Sequence, residues 1–404
     1  MPPHLELPKA KTLSTASSSD LLSTASSSST KPLPLTREFL RQLPKCELHL
    51  HLEGTLEAEL LFALAKRNEV SIPYASVTEL KEAYQFQNLQ EFLNLYYQGA
   101  AVLQQKQDFY DLTFAYLKKC QQETVVHVEV FFDPQTHTER GIDLEQVVGG
   151  IHDALEQSRN EFGITYKLIP CFLRHLSEEA AFEILDELKP YYHLFTGFGL
   201  DSTEVGHPPK KFEKVFRKVR EELGFKCCSH AGEEGPPDPY LWGVLKDLQV
   251  DRIDHGIQCL QDETLCQHLS QTQMALTLCP LSNLELQVVK DLRDYPLREL
   301  MDRNLLVTIN SDDPAYFGGY VTENYWQLVQ AALELSVEEC LTLAKNSFRG
   351  SFMTDNEKEK GMAKVDEYVA AWKSKVGEKK VAEAVVSSVK EEVEGAEEMV
   401  VTEA

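Results

Sequence analysis

Residues 46–54 read Cys-Glu-Leu-His-Leu-His-Leu-Glu-Gly, an apolar run interrupted by His49 and His51. On a strand, side chains two residues apart point to the same side. His49 and His51 would therefore face a protein interior together, with Leu48, Leu50 and Leu52 turned toward surrounding helices. Two imidazoles buried side by side lose their water, and a shared metal ion is the usual compensation.

Counting this one as Cys46–Leu52, the chain holds eight short β-branched or aromatic runs. The others are Val125–Phe132, Tyr166–Leu173, Leu194–Leu200, Phe225–His230, Arg252–Ile257, Met274–Cys279 and Leu305–Ile309. Amphipathic segments such as Leu144–Phe162, Glu178–Lys189 and Lys210–Leu223 separate most of them. Alternation of this kind builds right-handed βαβ units on a parallel sheet. Eight units predict an α/β protein with a closed (β/α)8 TIM-type barrel. More than seventy residues part the first two runs, too many for one crossover, so extra helices are expected there, roofing the site.

Several runs stop at polar clusters: Asp133-Pro-Gln, Asp201-Ser-Thr-Glu204, Ser229-His230-Ala-Gly-Glu233-Glu234-Gly, Asp254-His255-Gly, Cys279-Pro-Leu-Ser-Asn283 and Ser311-Asp312-Asp313-Pro. In a barrel the carboxyl ends of all strands open on one face, where catalytic groups collect. His230 offers a third nitrogen and Asp312 an oxygen. Three neutral imidazoles and one carboxylate suit a single Zn²⁺ per chain, which would lower the pKa of a bound water toward neutrality. Glu233, in a turn flanked by Gly232 and Gly235, is placed as general acid or base, whereas Glu234 is expected to point outward. His255 would hold and polarise the water. Adjacent carboxylates repel unless one binds the cation and the other finds a donor. Asp313 is therefore assigned to the substrate, as acceptor from a ring nitrogen that bears a proton.

These motifs resemble those of the adenosine/adenine deaminase family within the metal-dependent amidohydrolases. The resemblance runs from about Pro44 to Asn346 and rests on His-Leu-His-Leu-Glu-Gly at 49–54, Ser-His-Ala-Gly-Glu at 229–233, Asp-His-Gly at 254–256, Cys-Pro-Leu-Ser-Asn at 279–283 and Ser-Asp-Asp-Pro at 311–314. It implies one zinc on His49, His51, His230 and Asp312, protonation of purine N1 by Glu233, a water positioned by His255, and Asp313 near N7. Adenosine deaminases carry an Asp-Leu-Ala-Gly-Asp-Glu-like segment where this chain has Asp201-Ser-Thr-Glu204-Val-Gly206. With Val128–Gly141, that departure resembles the adenine deaminases of fungi and some bacteria, in which bulk excludes ribose. The implied reaction is adenine to hypoxanthine and ammonia, in purine salvage. Adenosine deamination is the alternative. A binuclear amidohydrolase is a remoter one, since Gly199–Gly206 lacks a bridging Lys and offers only Glu204. A non-catalytic zinc-binding barrel would need no intact Glu233, His255 or Asp313.

Composition narrows the partners. Forty Lys and Arg against sixty-four Asp and Glu leave a net charge of −24. Such acidity repels nucleic acid and anionic membranes, and the small purine base expected as partner is what the resemblance implies. The sequence shows no basic cluster for the phosphate of AMP. Nine cysteines, odd in number and set in apolar runs, read as buried reduced thiols. A cytoplasmic or also nuclear location, and not a secreted one, is expected. Residues 1–34 form a Ser/Thr-rich leader and 376–404 an acidic tail, both expected to be disordered, around a deaminase domain at 35–375; neither names a protein partner.

Overall fold

A computed structural model describes residues 35–331 and 335–376. The leader, and the tail beyond residue 376, lie outside the described residues. The described residues form eight strands: β1 (Lys45–His51), β2 (Val125–Phe132), β3 (Thr165–Leu173), β4 (Gly197–Asp201), β5 (Lys226–Ala231), β6 (Arg252–His255), β7 (Ala275–Leu278) and β8 (Leu306–Ile309). They pair in sequence order, every neighbour parallel. A bridge between Leu50 and Asp312 brings the segment after β8 against β1.

Each expected run overlaps a strand, and four strands, β1, β3, β4 and β5, extend one residue past it. β4 starts late because Lys189–Leu194 takes a 3₁₀ turn led by Pro190. β6 stops at His255, where the backbone turns left-handed at His255 and again at Gly256. The helix Leu144–Phe162 has the expected ends and stops at Gly163, whose φ of 70° suits the left-handed C-terminal cap. Lys210–Leu223 is not one regular helix. It divides into a 3₁₀ turn, an α-helix at Glu213–Arg217 and a π turn at Lys218–Glu222.

The long connection after β1 holds four helices, Ala58–Arg67, Val77–Glu82, Leu89–Ala100 and Lys106–Gln122. Asn88 caps the third by accepting the Glu91 N–H. Its buried face carries Leu89, Phe92, Leu93 and Tyr96 over the barrel mouth.

Outward-facing leucines and valines of the strands, such as Leu48, Leu50, Val128 and Val130, are fully buried beneath the helices. The inside is polar. Arg252, fully buried, pairs with Glu129 and with Asp254 at 3.1 Å, and donates to the Leu48 carbonyl at 2.9 Å. Thr277 donates to Asp254 at 3.0 Å. Buried charges persist only when partnered in this way. All nine cysteines are buried and free. Among the described residues no helix is long and apolar enough to cross a membrane.

Candidate active site

His49 and His51 share the inward face of β1, as their spacing predicts. His230 near the end of β5 and Asp312 past the end of β8 meet them. The Nε2 atoms of His51 and His230 lie 2.9 Å apart. Asp312 Oδ1 is 3.2 Å from His49 Nε2 and 3.5 Å from His51 Nε2. His49 Nε2 is buried without a hydrogen bond. The opposite nitrogen of each ring is occupied: His49 Nδ1 meets the Thr277 hydroxyl at 2.9 Å, His230 Nδ1 the Leu200 carbonyl at 3.2 Å, and His51 Nδ1 the Asp201 carboxylate at 3.5 Å. Outer partners that fix ring orientation are the usual surroundings of metal-ligating histidines. Converging nitrogen lone pairs and a carboxylate oxygen, all within 4.8 Å of one another, fit a divalent metal ion.

Around this centre stand three more groups singled out by the sequence. Glu233 Oε2 is 3.5 Å from His255 Nε2, and His255 Nε2 is 3.8 Å from Asp312 Oδ2. Burial pushes the Glu233 carboxyl well above the usual carboxylate range, and the charges of Asp312, Glu234 and Glu204 act the same way. Burial first, then His49, hold the His255 imidazole down at about 3, so it is neutral. Asp313 Oδ1 is buried with no hydrogen bond, and burial followed by Asp312 favours its protonated form. A protonated carboxyl donates to a ring nitrogen, whereas the ionised form accepts from one, as expected from the sequence. Glu233 lines the recess and Glu234 does not.

Alternation along a strand would send His255 away from the side occupied by Asp254, and Asp313 away from Asp312. Left-handed backbone at His255 (φ 68°) and Asp312 (φ 64°) breaks the alternation and lets consecutive residues serve one site. Ser202, after Asp201, does the same with φ 75°.

Two roles escaped the sequence reading, which weighed Glu204 only as a metal bridge. The Glu204 carboxylate accepts the backbone N–H groups of Gly232 at 2.7 Å, Glu234 at 2.9 Å and Gly235 at 2.8 Å. It therefore fixes the turn that carries Glu233 and is not free to bridge two metals. Arg174, fully buried, donates to the carbonyl of His230 at 2.8 Å and to that of His207. A buried charge at a strand end was the available signal for both, but their targets are backbone atoms of distant loops.

The site opens into a recess lined by Leu89, Phe92, Tyr96, Tyr97 and Leu286 together with the carboxyls of Asp133 and Asp201. Among the described residues no Lys or Arg lines it.

Residues 44–368 match the family model described as adenosine deaminase. The adenine deaminase of Hahella chejuensis is 52% identical over 333 residues, 82% of this chain and 99% of that protein. The crystal structure of adenine deaminase from Arthrobacter aurescens is 49% identical with a TM-score of 0.79, covering 81% of this chain and 99% of that one. An amidohydrolase from Burkholderia ambifaria, solved with bound Zn, is 25% identical with a TM-score of 0.76, covering 85% and 97%.

Proposed function

The chain belongs to the adenosine deaminase family, an amidohydrolase lineage, and from that membership and the site we infer that it hydrolyses adenine to hypoxanthine and ammonia. The observation that carries the reading is the arrangement of Glu233, His255 and Asp313 around three imidazoles and Asp312 at the mouth of one barrel. We assign the metal as Zn²⁺, one per chain, on His49, His51, His230 and Asp312. The relative solved with zinc and the nitrogen-rich donor set support this choice. Bound there, such an ion lowers the pKa of a water it holds and so supplies hydroxide near neutral pH.

The chain's own residues do the rest. Glu233, kept protonated by its surroundings, donates to N1 of the ring and draws electrons from C6. His255, neutral, accepts the proton of the attacking water and holds it oriented. Asp313 donates to the N7 lone pair, setting C6 toward the attacking side. Glu204, through three backbone N–H groups, keeps Glu233 in place. The C6 amine leaves as ammonia once it has gained a proton.

A free base suits the small recess and the bulk of Phe92, Tyr96 and Tyr97, and the lack of a lining cation disfavours a nucleotide. Adenine, adenosine and AMP offered separately to the purified protein, followed by ultraviolet absorbance and ammonia release, test the assignment. Adenine should turn over fastest; faster turnover of adenosine overturns the substrate and keeps the chemistry.

A further inference from the structure

Asp133 is buried at 2% exposure, lines the recess, and has no part in the steps above. It occupies the N-cap position of the short helix Pro134–Thr138, yet its side chain makes no capping hydrogen bond. An aspartate there ordinarily turns back to the helix N–H groups. Here Oδ2 instead accepts the Tyr96 hydroxyl at 3.3 Å, and Oδ1 is buried with no hydrogen bond at all. The Asp133 and Asp201 carboxyls lie against each other, within 4.8 Å. Both oxygens of Asp201 are likewise buried without a hydrogen bond, so the two carboxyls form one acceptor-rich wall, of which Asp201 is the member 3.5 Å from a metal-side histidine, His51.

A buried brace holds Asp133 in this position. Its backbone N–H donates to Glu53 Oε1 at 3.1 Å, and His137 Nε2 donates to the same oxygen at 2.6 Å. Arg140 Nη2 donates to His137 Nδ1 at 2.7 Å, which leaves the His137 proton on Nε2, directed at Glu53. The segment Asp133–Arg140 and the Glu53 that follows the metal histidines thus act as one unit.

We propose that Asp133 is the specificity residue for the free base: its Oδ1 accepts the N9–H of adenine, an N–H that every N9-substituted purine lacks. This rests on the proposed adenine deamination. With N1 at Glu233 and N7 at Asp313, the N9 edge points away from the attacking water, toward the wall formed by β2 and β4. A nucleoside brings a carbon to that place and leaves a desolvated carboxyl unpaired. A site built to hydrogen-bond a substrate N–H rejects the analogue without it far more strongly than an apolar pocket does.

The test compares kcat/KM for adenine and 9-methyladenine in the wild-type metalloprotein, Asp133→Ala and Asp133→Asn, with metal content measured in each. Where 9-methyladenine turns over too slowly, its inhibition constant serves. Loss of the acceptor should lower kcat/KM for adenine by about 10- to 100-fold. The preference for adenine over 9-methyladenine should shrink about tenfold or more in Asp133→Ala, and about threefold or more in the isosteric Asp133→Asn. A general structural defect lowers both substrates in the same proportion, and an unchanged preference in whichever variant folds overturns the proposal. Two metal ions per wild-type chain, one lost on substitution, overturn it as well, because Asp133 would then be a ligand. Absence of adenine turnover by the wild type would instead refute the deamination reading itself.

Discussion

The backbone N–H of His51 donates to the carbonyl of Asp312 at 3.0 Å. Asp312 in turn donates its own N–H to His49 at 3.1 Å. The first and last strands are therefore joined through the residues assigned to the metal, and the seam and the centre are one structure. Removing the metal with a chelator should abolish activity and also lower the Tm by about 5 °C or more, because an ion bound only to the folded state stabilises it. Calorimetry before and after chelation, with one equivalent of zinc added back, reads both effects. An unchanged Tm with activity lost would separate seam from centre.

Glu233→Gln keeps the shape of the side chain and removes its transferable proton. We expect kcat for adenine to fall by about 10³-fold with metal content unchanged. Near-normal turnover would move the acid role to Glu234.

Gly54 packs directly on Asp313: a Cβ added at residue 54 would lie 1.9 Å from Asp313 Oδ1. Gly54→Ala must therefore displace that carboxyl. Overpacking of this kind costs about 1–3 kcal/mol of stability, and kcat/KM for adenine should fall while the metal stays bound. Unaltered kinetics would show that Asp313 does not touch substrate.

Lys45 is fully buried, donating to the carbonyls of Leu40 at 2.9 Å, Leu43 at 3.0 Å and Glu123 at 2.5 Å. Burial pushes its ammonium down to about 8 from the 10.5 of a free lysine. The folded state then binds the proton less tightly than the unfolded chain. Its contribution is complete above pH 10.5 and is lost as pH falls through about 8. Relative to Lys45→Met, the wild type should gain up to about 3 kcal/mol between those limits, at about 1.4 kcal/mol per unit. Urea unfolding of both proteins at pH 7.5 and 10.5 measures the difference, and parallel behaviour would refute it.

The barrel was legible because each strand buries β-branched and aromatic residues in a short run, and the pairing order follows the chain. The metal group was legible because His49 and His51 carry the strand period on their face, while His230 and Asp312 sit where runs end. Other features hid for physical reasons. Strand alternation predicts the wrong side for His255 and Asp313, and a local backbone inversion corrects it. Arg252, Glu129 and Asp254 look like solvent-facing charges in sequence, but they satisfy one another inside the barrel. Glu204 acts on backbone N–H groups roughly thirty residues away, a target with no side-chain signature. The Lys210–Leu223 periodicity concealed the change from 3₁₀ to α to π geometry.

His255 and Asp312 each carry a Cβ in a left-handed conformation that glycine adopts without cost. Such conformations persist only while their surroundings impose them. The working rim of the barrel is thus a loaded spring held shut by its neighbours, and selection for heat resistance alone would tend to relax it at the expense of turnover.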